Sequence, residues 1–273
     1  MPNIIEAKHG KFLILPNDAL GQALINKGDF EPHFYNVAKN VIKEGDICLD
    51  CGANLGYHTV TMAKLAGKVG KVIAFEPLRV IYQQLNGNVF MNDLRNVIAL
   101  NAAVGNEQKI IQMDYVDVDN PNGVNIGATK IGAHGDRVEM LPIDSVIQNG
   151  VSFIKIDVQG SEVVLLKGAN ELIKNSRPVM FVEVEDTWLR YFNQSAESLL
   201  NTIMSLDYIL VRINNEYPCD HVAIPREKKH LLNDIMKDVG HPTEIIDGKS
   251  ISLNFDRNDW QKTINYGSYT VNV

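Results

Sequence analysis

Apolar residues between positions 17 and 43 recur at three- and four-residue steps: Leu20, Ala23 and Leu24, then Phe34, Val37, Ala38, Val41 and Ile42. This period predicts helix, with one apolar face able to cap the structure that follows. From residue 47 the rhythm changes. Short apolar, β-branched runs at residues 47–49, 72–75, 97–100, 153–156, 179–184 and 208–213 alternate with segments of helical period. Buried strands alternating with helices predict a doubly wound α/β fold, a mostly parallel sheet with helices on both faces.

Two segments depart from that alternation. Residues 106–142 are rich in Asn, Gly and Asp and include Asp117-Val118-Asp119-Asn120-Pro121-Asn122-Gly123. A connection this long is expected to hold a hairpin or a mobile lid. After Pro225 come a polar helix-like piece, residues 226–239, and a strand-rich tail ending at Val273. The chain therefore reads as an N-terminal cap region (1–45), a central binding domain (46–225) and a C-terminal extension (226–273).

Composition narrows the partners more than the fold. With 273 residues, 45% of them hydrophobic, the chain can bury the core of one large α/β domain. Lys and Arg total 26 against 33 Asp and Glu, a net charge of −7, which opposes attachment to nucleic-acid phosphates or anionic membranes. Neither is expected as a partner. No apolar run reaches the ~18 residues of a membrane span, and the run at 12–15 follows no basic leader, so a cytoplasmic protein is expected. Cys48 and Cys51 have CxxC spacing, but residues three apart in a strand point to opposite faces. They are expected to be core residues, not a redox or metal pair.

The chemistry begins at Asp50-Cys51-Gly52-Ala53-Asn54-Leu55-Gly56. Asp50 ends a strand, and Gly52 and Gly56 bracket a loop before a helix, where ligands bind in open parallel sheets. GxGxxG, the dinucleotide signature, is absent. An acid ahead of the glycines suits a cationic ligand better than a pyrophosphate. Glu76 ends the next strand about 20 residues later, where a carboxylate can accept hydrogen bonds from both ribose hydroxyls.

Together with Phe75-Glu76-Pro77, Ile156-Asp157-Val158-Gln159-Gly160-Ser161-Glu162 and Leu165-Leu166-Lys167-Gly168-Ala169, this loop resembles the FkbM-type methyltransferase pattern. The resemblance extends to Glu31, to Leu141-Pro142-Ile143-Asp144 and to Val222-Ala223-Ile224-Pro225, and spans residues 29–225. It implies a seven-stranded class I methyltransferase sheet with a final antiparallel strand. It also implies methyl transfer from S-adenosyl-L-methionine to a hydroxyl of a small molecule or glycan, often a sugar or secondary metabolite. The cofactor residues expected on this basis are Glu31, Asp50, Gly52, Ala53, Asn54, Gly56, Glu76, Pro77, Asn101, Ala102 and Asp157.

A hydroxyl acceptor must lose a proton as the methyl group arrives, so the catalytic candidates are Asp157 at one strand end, Glu183 at the next, and His58 after Gly56. Glu183 is the expected base, assisted or replaced by His58. Catechol-type enzymes bind Mg2+ with acids at comparable places, but Gly160 and Glu185-Asp186 depart from their pattern, and no metal is expected. Two other readings stay open: a catalytically inactive cofactor-binding partner protein, and an NAD-linked oxidoreductase. The strand-rich tail is the element expected to build a homodimer. The acceptor is not written in any motif.

Overall fold

Gly28 and Pro32 divide the predicted N-terminal helix in two. The computed structural model, which describes residues 3–120, 122–213, 219–239, 244–248, 250–253 and 269–272, ends the first helix at Gly28, whose left-handed backbone (φ 67°) closes it. Pro32 then opens the second, at a position that needs no backbone N–H. A hairpin of β1 (Asn3–Ala7) and β2 (Gly10–Ile14) precedes α1 (Ala19–Lys27) and α2 (Pro32–Val41). The hairpin was not foreseen. Its signal is the alternation that buries Phe12 and Ile14 completely while Lys11 and Leu13 turn away.

The alternating region follows in order: β3 (Ile47–Cys51), α3 (Tyr57–Ala66), β4 (Lys71–Phe75), α4 (Arg79–Met91), β5 (Val97–Leu100) and β6 (Ala102–Gly105). The long connection forms β7 (Lys109–Gln112) and β8 (Arg137–Pro142), an antiparallel pair that joins β6 in a small separate sheet. Then come β9 (Val151–Ile156), α5 (Glu162–Gly168), α6 (Asn170–Ser176), β10 (Val179–Val184), α7 (Asp186–Tyr191), α8 (Ala196–Ser205), β11 (Tyr208–Arg212) and β12 (Cys219–Pro225). The C-terminal part contributes α9 (Leu232–Val239), β13 (Glu244–Ile246), β14 (Ser250–Leu253) and β15 (Tyr269–Asn272). The rest of the predicted strand-rich tail, residues 240–243, 249, 254–268 and 273, lies outside the described residues.

The main sheet runs β5-β4-β3-β9-β10-β12-β11-β13. β3, β4, β5, β9 and β10 are parallel, and β12 runs antiparallel to both of its neighbours. The seven strands of the class I methyltransferase arrangement are all present, and β13 adds an eighth at the β11 edge. Chain order reverses between β3 and β9. The crevice at their carboxyl ends is thus the topological switch point at which such sheets bind ligands.

Helices cover both faces. One core packs α5, α6 and α8 against residues such as Leu49, Ile154, Met180 and Val182, and the other packs α2, α3 and α9 against Cys48, Phe153, Phe181 and Val222. Cys51 lies in the first core and Cys48 in the second, both free, both fully buried, with thiols pushed far up by burial. That is the expected fate of two residues three apart in a buried strand.

Candidate functional site

Gly52 starts the loop after β3 with φ 84°, and a Cβ there would lie 1.8 Å from the Asp157 carbonyl oxygen. Only glycine admits both that conformation and that approach. Asn54 is also left-handed (φ 49°), and Gly56 (φ 92°) caps α3 with no room beside the Leu85 side chain. The result is a tight loop whose backbone faces the crevice between β3 and β4.

Glu76 closes the far side of that loop. It is 5% exposed; one carboxylate oxygen accepts from the Asn54 amide at 2.8 Å and the other from the Leu78 amide at 2.8 Å. Burial pushes its pKa up to about 7, against the pull of those two amides. Asn101 fixes the same turn from outside, its side-chain amide donating to the carbonyls of Glu76 (2.9 Å) and Pro77 (3.0 Å).

Between these elements lies a cleft open to solvent, with about 700 Å³ of empty space between its walls. Of the sequence-predicted cofactor residues, Gly52, Asn54, Glu76, Pro77, Ala102 and Asp157 line it. Asp50, Ala53, Gly56, Asn101 and Glu31 do not. Asp50 is fully buried behind the loop, accepting a hydrogen bond from the Thr59 hydroxyl at 2.6 Å and lying 3.7 Å from the Lys155 ammonium. Ala53 packs with Ala74 and Leu85.

The opposite wall comes from the 106–142 connection, which folds across the cleft and contributes Met113, Ile126, Gly127, Thr129, Lys130 and Ile131. Val124 is tied by backbone hydrogen bonds to Asn17 and Ala19, and the Ile126 amide donates to Asp18 at 3.1 Å. On the other side the Lys130 ammonium sits 3.5 Å from the centre of the Tyr191 ring on α7. None of these residues was picked from sequence; no motif marks them.

At the carboxyl ends of β9 and β10 the chemistry changes to charged side chains. Lys155, 4% exposed, donates to the Gly52 carbonyl (2.8 Å) and to Asp157 (3.0 Å). Gln159 donates to Asp157 (2.8 Å) and to Glu183 (3.0 Å). Burial alone would raise Asp157, but the Lys155 charge and the hydrogen bonds from Glu183, Lys155 and Gln159 hold its carboxyl below the usual value. Glu183 goes the other way: burial, the adjacent Asp157 charge and hydrogen bond, and the charges of Asp220 and Glu31 push it well above. Two carboxyls this close favour a state that holds one proton between them.

Glu31 and His58 meet beside this pair. Glu31 is left-handed (φ 46°) just ahead of Pro32, and its carboxylate is 2.8 Å from His58 Nε2. The His58 ring is packed against Phe34, with centroids 4.0 Å apart, and is 7% exposed; like Glu31 and Glu183, it is not among the residues that line the cleft. From β12, Asp220 brings a further buried carboxyl, paired with His33 at 2.6 Å and pushed by burial to about 6. Among the described residues no group of three His, Cys, Asp or Glu is arranged to hold a metal ion, and no helix is long and apolar enough to cross a membrane.

Sequence reasoning missed Lys155, Gln159, His33 and Asp220. Lys155 had a readable signal, a lone charge in the otherwise apolar run Phe153-Ile154-Lys155-Ile156. A charge in a doubly covered strand must be paired. His33 and Asp220, 187 positions apart, had none.

Residues 50–210 match the family described as Methyltransferase FkbM domain. Methyltransferase sdnD of Sordaria araneosa is 24% identical over 203 residues, covering 62% of this chain and 76% of that protein. Among solved structures, methyltransferase FkbM from Methylobacillus flagellatus KT is 19% identical with a TM-score of 0.45; the match covers 77% of this chain but spans only 62% of that one. SMU.1697c of Streptococcus mutans, solved in complex with SAH, is 12% identical with a TM-score of 0.46 over 69% of this chain and 93% of that one.

Proposed function

Because the chain belongs to the FkbM methyltransferase family, we propose that it transfers a methyl group from S-adenosylmethionine to a hydroxyl of a sugar-like or secondary-metabolite-like acceptor. The observation that carries this reading is the placement of Glu76: a buried carboxylate at the end of β4, on the wall of a cleft at the sheet's switch point. Each of its oxygens spends one lone pair on a backbone amide and keeps another for a ligand hydroxyl. The donor's nucleoside fits between the Gly52–Asn54 backbone, Glu76, Ala102 and the 126–131 flap. Ribose hydroxyls donating to Glu76 favour its ionised form, opposing the rise that burial imposes.

When bound, the donor supplies an electrophilic methyl group on a sulfonium, open to in-line displacement by an oxygen nucleophile. The chain's own work is to place the acceptor and take its proton. Asp157, held ionised by Lys155 and Gln159, orients the acceptor hydroxyl. Glu183 receives the proton; a carboxyl with a raised pKa is the stronger base once ionised.

Calorimetric titration with S-adenosylmethionine, S-adenosylhomocysteine and NAD tests the donor. Binding of both adenosyl compounds is expected, weakened about 100-fold in Glu76→Ala by loss of the charge-assisted hydrogen bonds. NAD binding without adenosylhomocysteine binding would overturn the reading. Glu183→Gln should bind adenosylhomocysteine normally and slow methyl transfer to a screened hydroxyl acceptor; unchanged turnover removes Glu183 as base.

A further inference from the structure

We propose that Gln159 is a positioning residue that holds Asp157 and Glu183 together as one proton-sharing pair through a single side-chain amide donating to both carboxyls. The assignment rests on reading Glu183 as the base, and on four features of the loop that carries Gln159.

The first is the bridge itself. The Gln159 Nε2 has two hydrogens, and the two carboxyls stand at 2.8 and 3.0 Å from it, so the amide's donor capacity is used up on the pair. The second is the backbone beneath it. Gln159 adopts φ 50°, a conformation that costs a residue with a long side chain, and Gly160 follows at φ 94°. The third is what enforces that conformation. One Glu162 oxygen accepts from the amides of Val158 (3.3 Å) and Gly160 (3.0 Å), and the Ser161 hydroxyl donates to the Val158 carbonyl at 2.9 Å. The fourth is the packing of α7: a Cβ on Gly160 would lie 2.3 Å from the Trp188 carbonyl oxygen. The loop is held from both sides in the strained shape that aims Gln159 at the pair.

Charges face the pair from every neighbouring element. Lys155 approaches from β9, with Asp50 of β3 behind it; Asp220 stands on β12 with His33; Glu31 stands ahead of α2 with His58. The set is predominantly acidic, which penalises the state in which both carboxyls are ionised. Lys155 offsets this for Asp157, with its ammonium 3.0 Å from that carboxylate. Gln159 reaches both. An amide stabilises the doubly ionised pair without bringing a full charge that would stop Glu183 from picking up a proton again. It therefore sets the pH at which the base becomes available.

The test needs no acceptor. The full chain is labelled with 13C at glutamate side-chain carboxyls, the Glu183 signal is assigned by its loss in Glu183→Gln, and its titration is followed by NMR in the parent, Gln159→Gly and Gln159→Lys. Glycine suits the left-handed backbone, so that variant removes the amide with the loop unstrained. The Glu183 midpoint should rise by about one pH unit in Gln159→Gly and fall by about one in Gln159→Lys, as expected for removing a donor or adding a charge beside a carboxyl pair. Midpoints equal to the parent's, or shifts of the same sign in both variants, would overturn the proposal. If Gln159→Lys does not fold, the glycine variant decides alone. Adenosylhomocysteine calorimetry on the same samples keeps the two readings apart: a parent that does not bind it refutes the methyl donor, while the titration still reports on the pair.

Discussion

The wall of the cleft at β3 and β4 is made mostly of backbone, and the end at β9 and β10 mostly of side chains. At the first, Gly52, Asn54 and Gly56 set left-handed turns, and Glu76 is braced by main-chain amides two and twenty-two positions away. At the second, Lys155, Asp157, Gln159 and Glu183 are braced by one another, with Glu31, His58, His33 and Asp220 around them. In the wall built mostly of backbone, Glu76 is the titrating group that braces the loop. In the charge-built end several carboxyls titrate together, and the ionisation of each depends on its neighbours. Lys155 belongs to both halves, donating to the Gly52 carbonyl and to Asp157.

Removing that tie should have the largest effect on stability. Lys155→Met leaves Asp50 and Asp157 without their buried cation and is expected to cost about 3–5 kcal/mol in chemical denaturation at neutral pH. The sign with pH follows from Asp157. Its pKa is depressed in the folded parent, so its contribution is present above the ordinary carboxylate value and lost as pH falls through the depressed one. The parent–variant difference should therefore shrink in acid. A deficit that stays constant down to about pH 3 would show that Lys155 acts through packing alone.

On the backbone-built side, Gly52→Ala should cost about 2–3 kcal/mol, since its methyl group meets the Asp157 carbonyl and its φ suits only glycine. This loss should be the same at every pH. A pH-dependent loss would mean that the glycine loop and the carboxyl pair move as one unit, and would collapse the distinction between the two ends.

The smallest effect is expected at the boundary. Glu162 is 3% exposed, and burial pushes its pKa up to about 7. A carboxyl raised in the folded state stabilises it below the unfolded value and loses that contribution as pH climbs towards about 7. Glu162→Gln keeps the oxygen that accepts from Val158 and Gly160 and removes the ionisation. Its melting temperature relative to the parent should therefore rise by a few degrees between pH 5 and pH 8. A parallel pair of melting curves would refute burial as the cause.

These differences also explain what could be read from the chain alone. Asp50, the glycines and Glu76 lie within 27 residues and follow strand ends, so they formed a recognisable string. Part of that string lies off the cleft wall in the structure. Asp50 sits behind the loop, held by Thr59, because the last residues of a strand alternate between faces and this one turns inward. The 106–142 connection was expected to hold a hairpin or a lid, but which of its residues form the wall could not be read, since its apolar residues show no period and its anchors, Asn17, Asp18 and Tyr191, belong to distant segments.

Hydrophobic period, a local property, determined on its own the alternating α/β order and six of the strands, and the short motifs at the strand ends carried the resemblance to the family; the division of the N-terminal helix at Gly28 and Pro32 came from the structure. What only the tertiary structure decided is the acidic end of the site: which of the 33 acidic residues gather at the strand ends, and how each is paired. The physical reason is distance along the chain. Glu31, Asp157, Glu183 and Asp220 are brought together by strand order and crossover connections, and the ionisation of each depends on the others; neither is encoded in any window of neighbouring residues.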